Sequence, residues 1–178
     1  MLSRFLRFFK YNVKMIYSSN VYQDYFDQLG GIQFGDGVFN SLLLQDVPKW
    51  RAYITEAFPE LTGKVIPFGY TWDGVFCCID LRDGKIILCD VGAGECIDLP
   101  RSFIEFLNED IEEFEELLQI EDYQKWMTVN GKLPYGSCAG LKKPLFMGGE
   151  EENSNREVSD LEVYWGIIGQ VKRQVKGD

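Results

Sequence analysis

The segment VIPFGYTWDGVFCCIDLRDGKIILCDVGAGECIDL, residues 65–99, decides the fold class. It divides into short runs rich in β-branched and aromatic residues, which are typical of strands. Asp83 and Gly84 have the composition of a tight hairpin turn, and Gly92 to Gly94 supply the next turn. Because strands joined by such short turns pair with their neighbours, the segment predicts an antiparallel β-meander.

Helical patterns precede the meander. Apolar residues recur at helical spacing from Tyr22 to Leu29 and from Trp50 to Phe58. Between them, GDGVFNSLLLQD (residues 35–46) predicts a turn that leads into a strand.

The first twenty residues have a pattern of their own, with apolar residues on one helical face and cations on another. The cations are Arg4, Arg7, Lys10 and Lys14. This pattern predicts a basic amphipathic helix over residues 1–20. Such a helix would either dock on the acidic remainder of the chain or lie on a membrane surface.

More helices are predicted after the meander. Pro100 and a capping box of Ser102 and Glu105 open a helix whose apolar face continues to Leu118. A shorter helix is predicted around Tyr123, Trp126 and Met127, and it ends near Gly131.

The last part of the chain predicts a strand and a terminal helix. KKPLFMGG (residues 142–149) has the pattern of a strand that opens into the polar loop EEENSNREVS (150–159). Ser159 and Glu162 form a second capping box at the start of the helix. The order of elements predicts an α+β fold, in which a largely antiparallel β-meander sheet packs against several α-helices in one domain, residues 21–178.

Composition restricts the function. The chain has 28 Asp and Glu residues and 18 Lys and Arg residues, so its net charge is −10. It contains no histidine. A chain this acidic is a poor ligand for phosphate backbones, so we expect no direct contact with nucleic acid. The lack of histidine removes the commonest general base and the commonest metal ligand. The composition therefore favours a protein that is not an enzyme and that holds no cofactor.

Five cysteines, an odd number with no CxxC pair, favour reduced thiols in the cytoplasm. Zinc could bind Cys77, Cys89 and Cys96, but these three residues lack the paired short spacings of such sites, so we expect no metal. No apolar run reaches the ~20 residues of a membrane span, and none is expected.

Carboxylates recur on one face of the helix predicted after Ser102. They are Glu105, Glu109, Glu112 and Glu116. Like charges at this spacing repel, so the stripe does not stabilise the helix. It is either a solvated face or a docking surface for a cationic partner.

The residues from Lys143 to Trp165, KPLFMGGEEENSNREVSDLEVYW, resemble the C-terminal signature of the immunity proteins that accompany type VI secretion DNase effectors. IPFGYTWDG (66–74) and IDLPRSFIEFLNEDI (97–111) are similar to two earlier motifs of that family. FGDGVFNSLLLQDVPKWRAYITEAFPEL (34–61) resembles the GAD-like portion that precedes them. The resemblance thus covers most of residues 30–171.

This resemblance implies an α+β fold related to the SUKH superfamily, a bacterial cytoplasmic location and no catalysis. Residues 21–62 would be the GAD-like portion and residues 63–171 the C-terminal portion. In one respect the chain departs from the family, because Thr71 precedes the tryptophan and the acid follows as Asp73. The family motif falls on Trp72, Gly74, Pro144, Phe146, Gly148, Gly149, Asn155, Asp160, Tyr164 and Trp165. Within it, we expect Gly148 and Gly149 to form a turn with positive φ and Trp165 to pack beneath that turn.

Charge and resemblance lead to one hypothesis, a bacterial immunity protein that binds and neutralises a cognate secreted nuclease toxin. A nuclease that grips DNA presents cations, so the four glutamates of the stripe and Asp73 are the candidate contacts. One alternative is a non-catalytic interaction or regulatory module of the same fold. The other is a hydrolase that uses paired carboxylates, Asp73 with Asp80 or with Asp90.

Overall fold

The structure, a computed structural model, describes residues 21–108 and 115–176 of the chain. The basic helix predicted at residues 1–20 lies outside the described residues, as do Glu109 and Glu112.

One six-stranded sheet contains the predicted meander. Its strands follow one another in chain order, and each is antiparallel to the next. They are β1 (Gln33–Phe34), β2 (Phe39–Ser41), β3 (Val65–Thr71), β4 (Phe76–Asp80), β5 (Lys85–Asp90) and β6 (Glu95–Ser102). The turn from β4 to β5 contains Gly84 with a φ of 75°, a conformation that favours glycine. The α+β prediction and its antiparallel sheet are confirmed.

Five helices accompany the sheet, and residues 115–117 are also helical in the described parts of the chain. The five helices are α1 (Val21–Leu29), α2 (Val47–Ala57), α3 (Phe103–Phe106), α4 (Ile120–Asn130) and α5 (Leu161–Lys176). None of these helices is long and apolar enough to cross a membrane. The helix predicted around Tyr123 is α4, which ends before Gly131 as expected.

Two aromatic clusters hold helices against the sheet. In the first, the ring of Phe76 on β4 lies 4.9 Å from Trp50 of α2 and 5.0 Å from Trp165 of α5, measured between centroids. In the second, Phe68 on β3 lies 4.9 Å from Phe103 of α3 and 5.8 Å from Tyr25 of α1. Burial of large rings is the main favourable term in folding, so these clusters fix the helices on the sheet.

A second, two-stranded sheet corrects the prediction for residues 142–159. Its antiparallel strands are β7 (Ser137–Leu141) and β8 (Arg156–Asp160). The predicted strand KKPLFMGG is wrong, because Leu145–Met147 form a 3-10 turn between Pro144 and the left-handed Gly148. A proline nitrogen has no hydrogen to donate to a strand ladder, and a left-handed glycine turns the chain.

The region after the meander also differs from the prediction. The Ser102–Glu105 capping box is present, but α3 ends at Phe106 rather than continuing to Leu118. Pro100 belongs to β6 and does not open the helix. Because β6 is the last strand of the sheet, its outer side can accommodate a residue that has no N–H group.

The start of α5 is capped by another residue than predicted. Asp160 Oδ1 accepts hydrogen bonds from the N–H groups of Glu162 and Val163, both at 3.0 Å. The predicted Ser159–Glu162 capping box is therefore wrong. Ser159 belongs to β8, and the Glu162 carboxylate instead contacts Lys49 and Tyr53 of α2.

Candidate functional site

A cleft of about 270 Å³ opens at one end of the six-stranded sheet. Its floor contains Cys77, Leu88 and Ile97, which are register partners on β4, β5 and β6 and so point to the same face. Leu117 and Leu145 supply further apolar lining. Four carboxylates complete the lining, and we call this site the carboxylate cleft: Asp73, Asp90, Glu95 and Glu151.

Asp73 is held in the cleft by the turn from β3 to β4. Its Oδ1 accepts a short hydrogen bond from the Thr71 hydroxyl. Gly74 follows with a φ of 88°, and a Cβ at this position would lie 3.2 Å from Cys138 Sγ. The turn thus requires glycine next to Asp73, whose side chain is 12% exposed.

Asp90 enters the cleft from the end of β5. Its Oδ1 accepts hydrogen bonds from the N–H groups of Gly92 at 2.8 Å and Ala93 at 2.9 Å. Burial, followed by the nearby charge of Asp73, raises the pKa of Asp90 to about 6, although these hydrogen bonds and Arg156 act in the opposite direction. Asp90 therefore carries a charge at neutral pH that its surroundings only partly stabilise.

Arg156 is the buried cation behind this pair of carboxylates. Its guanidinium lies 4.8 Å from the ring centre of Trp72 and donates a hydrogen bond of 3.2 Å to the carbonyl oxygen of Ala139. Its Nη2 is 3.9 Å from Asp73 Oδ2. Sequence reasoning missed Arg156, because β8 was predicted as a polar loop. A lone arginine after three glutamates in a tryptophan-rich acidic chain was the available signal.

The two motif tryptophans, Trp72 and Trp165, are buried and donate hydrogen bonds to the backbone around the cleft. Trp72 Nε1 donates a hydrogen bond of 3.0 Å to the carbonyl oxygen of Leu118, which also lines the cleft. Trp165 Nε1 donates to the carbonyl oxygen of Gly74 at 2.9 Å, and its ring packs against Phe76. Both side chains are therefore unavailable as exposed anchors for a partner.

Tyr164 occupies the space between the small sheet and the Gly92 turn. Its hydroxyl accepts a hydrogen bond of 3.3 Å from the N–H of Leu141. A Cβ added at Gly140 would lie 2.6 Å from the Tyr164 ring, and one at Gly92 would lie 2.6 Å from its hydroxyl oxygen. Tyr164 thus joins β7 to the turn that holds Asp90.

The late glycine motif forms a tight turn, but Trp165 does not lie beneath it. Gly148 has a φ of 80°, whereas Gly149 is not among the positive-φ residues, and a Cβ there would lie 1.9 Å from the carbonyl oxygen of Lys143. Asn155 fastens this turn, because its Nδ2 donates to the carbonyl oxygens of Lys143 at 2.8 Å and Glu150 at 2.9 Å. The nearest atoms to the turn belong to Lys143 and Pro144, which corrects the predicted packing of Trp165. Phe146, in the 3-10 turn before it, packs half-buried against the core.

The predicted carboxylate stripe does not form one helical face in the described residues. It required a single helix from Glu105 to Glu116, but α3 ends at Phe106. The carboxylate of Glu105 accepts the N–H of Ser102 at 2.7 Å, and this hydrogen bond lowers the pKa of Glu105. Glu116 is exposed beside Glu115 and Glu121, where the three line a shallow groove.

The structure does not bring the conceivable zinc ligands together. Cys89 and Cys96 are register partners on one face of the sheet, whereas Cys77 points into the cleft on the other face. Burial raises the pKa of the Cys77 thiol, which disfavours the thiolate that a metal needs. Within residues 21–108 and 115–176, no group of three cysteines or carboxylates could hold a metal ion.

Of the two carboxylate pairs considered for catalysis, the structure assembles one. Asp73 and Asp90 share the cleft. Asp80 lies at the far end of β4, where Arg82 binds it through its side chain and its backbone N–H. The ion pair with Arg82 lowers the pKa of Asp80.

Comparisons with known proteins agree with the fold and with the late motif. Residues 100–172 match the family model of the T6SS immunity protein Tdi1, C-terminal. This match confirms, for that part of the chain, the resemblance to type VI secretion immunity proteins. No curated protein matches the chain. The crystal structure of Atu4351 from Agrobacterium tumefaciens superposes with a TM-score of 0.65 at 14% identity, over 96% of this chain and 89% of that one, and so has the same fold.

Proposed function

We propose that this chain, whose residues 100–172 match the family model of the T6SS immunity protein Tdi1, C-terminal, binds a cognate secreted nuclease toxin and neutralises it. The family match is the observation that carries the proposal, because immunity proteins of secretion systems act on the toxin of their own cell. We expect the chain to act in the bacterial cytoplasm, as a stoichiometric inhibitor without catalysis or cofactor. Kinship with the SUKH superfamily stays a prediction, as does the division at residue 62.

The charge of the chain supports a nuclease as the partner. A nuclease must present cations to hold the phosphate backbone of its substrate. A folded protein with a net charge of −10 is attracted to such a surface over distances of about one Debye length, roughly 8 to 10 Å in physiological salt. The resulting complex would cover the DNA-binding surface of the toxin and would form faster at low salt.

Within residues 21–108 and 115–176, two acidic surfaces are available for this contact. One is the carboxylate cleft with Asp73, and the other is the groove of Glu115, Glu116 and Glu121. Glu105 contributes less, because its carboxylate is engaged by Ser102. Of these two surfaces, the cleft combines charge with apolar area. Apolar area adds affinity, and charge speeds the association of the two proteins.

Co-expression tests the proposal. A type VI effector from the bacterium that carries this chain is expressed in a heterologous bacterium, with and without the chain, and survival and DNA integrity are measured. We expect survival only with the chain, and a complex of one copy of each protein on size exclusion. Killing that continues despite equal expression of the chain would contradict the proposal and favour a regulatory module with another partner.

A carboxylate-dependent hydrolase is the second candidate, and one observation favours it. Asp73 and Asp90 share a cleft, and a buried carboxyl with a pKa of about 6 suits a general acid. Turnover of generic ester, phosphoester and glycoside substrates that disappears in Asp90→Asn would support this function. The hydrolase candidate would be excluded if no such turnover is found and Asp90→Asn protects cells from the toxin as well as the wild type does.

A further inference from the structure

We infer that the carboxylate cleft receives an arginine side chain of the toxin, with the guanidinium between Asp73 and Asp90. This inference rests on the proposed function and names the group of the partner that the site takes. It concerns a different region from the predicted glutamate stripe.

The lining of the cleft matches a side chain that is apolar along its length and charged at its end. Leu88, Ile97 and Leu145 offer apolar surface for a methylene stem. Ile97 is 48% exposed although it points into the cleft, so the described residues leave this apolar surface uncovered. Long basic side chains bury their stems in this manner while the charged head finds a partner.

The charges at the cleft lack a sufficient counterion. No lysine or arginine is among the described residues that line it. Arg156 lies behind Asp73 and is committed to Trp72 and to the carbonyl oxygen of Ala139. Asp90 Oδ1 accepts the N–H groups of Gly92 and Ala93, and the side chain of Asp90 is half-buried at the cleft. Two neighbouring, partly desolvated carboxylates repel each other, and a cation that enters the cleft offsets this repulsion.

The geometry of the two aspartates favours arginine over lysine. Each carboxylate is fixed by local hydrogen bonds, Asp73 by Thr71 and Asp90 by the N–H groups of Gly92 and Ala93. Little side-chain entropy is therefore lost when a ligand binds. A guanidinium has five donors in one plane and can serve two fixed carboxylates at once, whereas an ammonium is a point charge.

Binding of the cation is coupled to the protonation of Asp90. The groups that face this carboxyl are Asp73, Arg156 and Tyr164, with Glu95 and Glu151 also lining the cleft. A guanidinium beside Asp90 favours the ionised carboxylate and lowers its pKa below about 6. Affinity for the cation therefore rises as the pH increases through 6.

The first experiment uses a small probe and needs no toxin. Acetyl-arginine methylamide is titrated into the full chain, and NMR follows the carboxyl carbons of the aspartates and the methyl groups of Leu88 and Ile97. Acetyl-citrulline methylamide, which has nearly the same shape and no charge, is the matched control. We expect the arginine probe alone to shift these signals in a saturable manner and to lower the pKa of Asp90. Equal effects of the two probes, or no shift at the cleft, would overturn the inference.

A second experiment tests, with two variants, whether the cleft contributes to toxin binding. Asp90→Asn keeps the Oδ1 acceptor and removes the charge, and Asp98→Asn makes the same change at an exposed position on the other face of β6. We expect Asp90→Asn to weaken toxin binding by roughly tenfold and Asp98→Asn by less than about twofold. Thermal melting verifies that both variants are folded. If Asp90→Asn fails to fold, the probe titration on the wild-type chain decides alone.

The outcomes separate the two proposals. A wild-type chain that does not bind the toxin contradicts the proposed function, whatever the probe does. A wild-type chain that protects cells while Asp90→Asn binds the toxin equally well leaves the function standing and overturns the arginine site.

Discussion

The two faces of strands β4 and β5 differ sharply in what covers them. On one face, Phe76 is enclosed by Trp50 and Trp165, and the cluster is closed to solvent. On the other face, Leu88 and Ile97 line a cleft that ends in Asp73 and Asp90, and Cys77 is fully buried beneath it. Adjacent residues of one strand thus lie in the aromatic core and at the cleft, because successive side chains point in opposite directions. The difference lies at one end of the sheet, where the second face holds carboxylates in place of aromatic rings.

Truncation of a side chain on the aromatic face has the largest expected effect on stability. Trp165→Ala removes a side chain that is 1% exposed, together with its hydrogen bond to Gly74. We expect the free energy of unfolding to fall by about 3 to 5 kcal/mol in urea titrations. Val163→Ala, on the exposed side of α5, is the control and should change it by less than about 0.5 kcal/mol. A Trp165→Ala variant as stable as the wild type would refute the division between the faces.

Removal of Arg156, the cation behind the cleft, has the second largest expected effect on stability. Arg156→Met keeps much of the volume but takes the charge from Trp72 and Asp73. We expect a loss of about 3 kcal/mol in the free energy of unfolding, because the buried carboxylates lose their counterion. The double variant with Asp90→Asn should recover part of this loss. Additive effects of the two substitutions would show that Arg156 acts on packing alone.

The third prediction concerns pH. The pKa of Asp90 is raised to about 6 in the folded chain, above its ordinary value of 3.8, so the folded state binds more protons between these values. The contribution of Asp90 to stability therefore grows as the pH falls from 7 to 5, by about 1 kcal/mol. Urea unfolding at both pH values measures it as the difference between the wild type and Asp90→Asn. An identical pH dependence of the two proteins would contradict the pKa shift.

The smallest expected effect on stability comes from substitutions in the shallow groove, which belongs to neither face of the sheet. Glu115→Gln combined with Glu116→Gln alters two exposed carboxylates in the shallow groove. We expect the free energy of unfolding to change by less than about 0.5 kcal/mol. If this groove steers the toxin, stopped-flow mixing will show slower association at low salt and a weaker dependence on salt. An unchanged association rate assigns the contact to the cleft alone.

Local chemistry explains which parts of the fold the sequence predicts. The β4–β5 turn at Asp83 and Gly84, the Ser102 capping box and the end of α4 each depend on two to four adjacent residues, and each is present. The pairing of β7 with β8 was missed, because it joins segments separated by an irregular loop. Short residues such as Ala139 and Gly140 also give β7 little intrinsic strand character.

The site was predicted less well than the fold for the same reason. Asp73 and Asp90 are separated by 17 positions, and only the register of β3, β4 and β5 brings them together. Arg156 reaches Asp73 only through the pairing of β8, which the sequence did not indicate. The glutamate stripe was predicted from one helix, but α3 ends at Phe106, and Glu109 and Glu112 lie outside the described residues, so the stripe stays a prediction.

The outer edge of β6 has a consequence for the solubility of the chain at high concentration. In the described part of the chain this strand ends the sheet, so its outward backbone groups could pair with a second copy and start aggregation. Glu95 and Asp98 are exposed on this strand, and Pro100 interrupts its row of donors. Charge and proline are the means by which natural sheets prevent such edge-to-edge pairing. The charges of Glu95 and Asp98 and the missing N–H of Pro100 therefore disfavour pairing with a second copy along this edge.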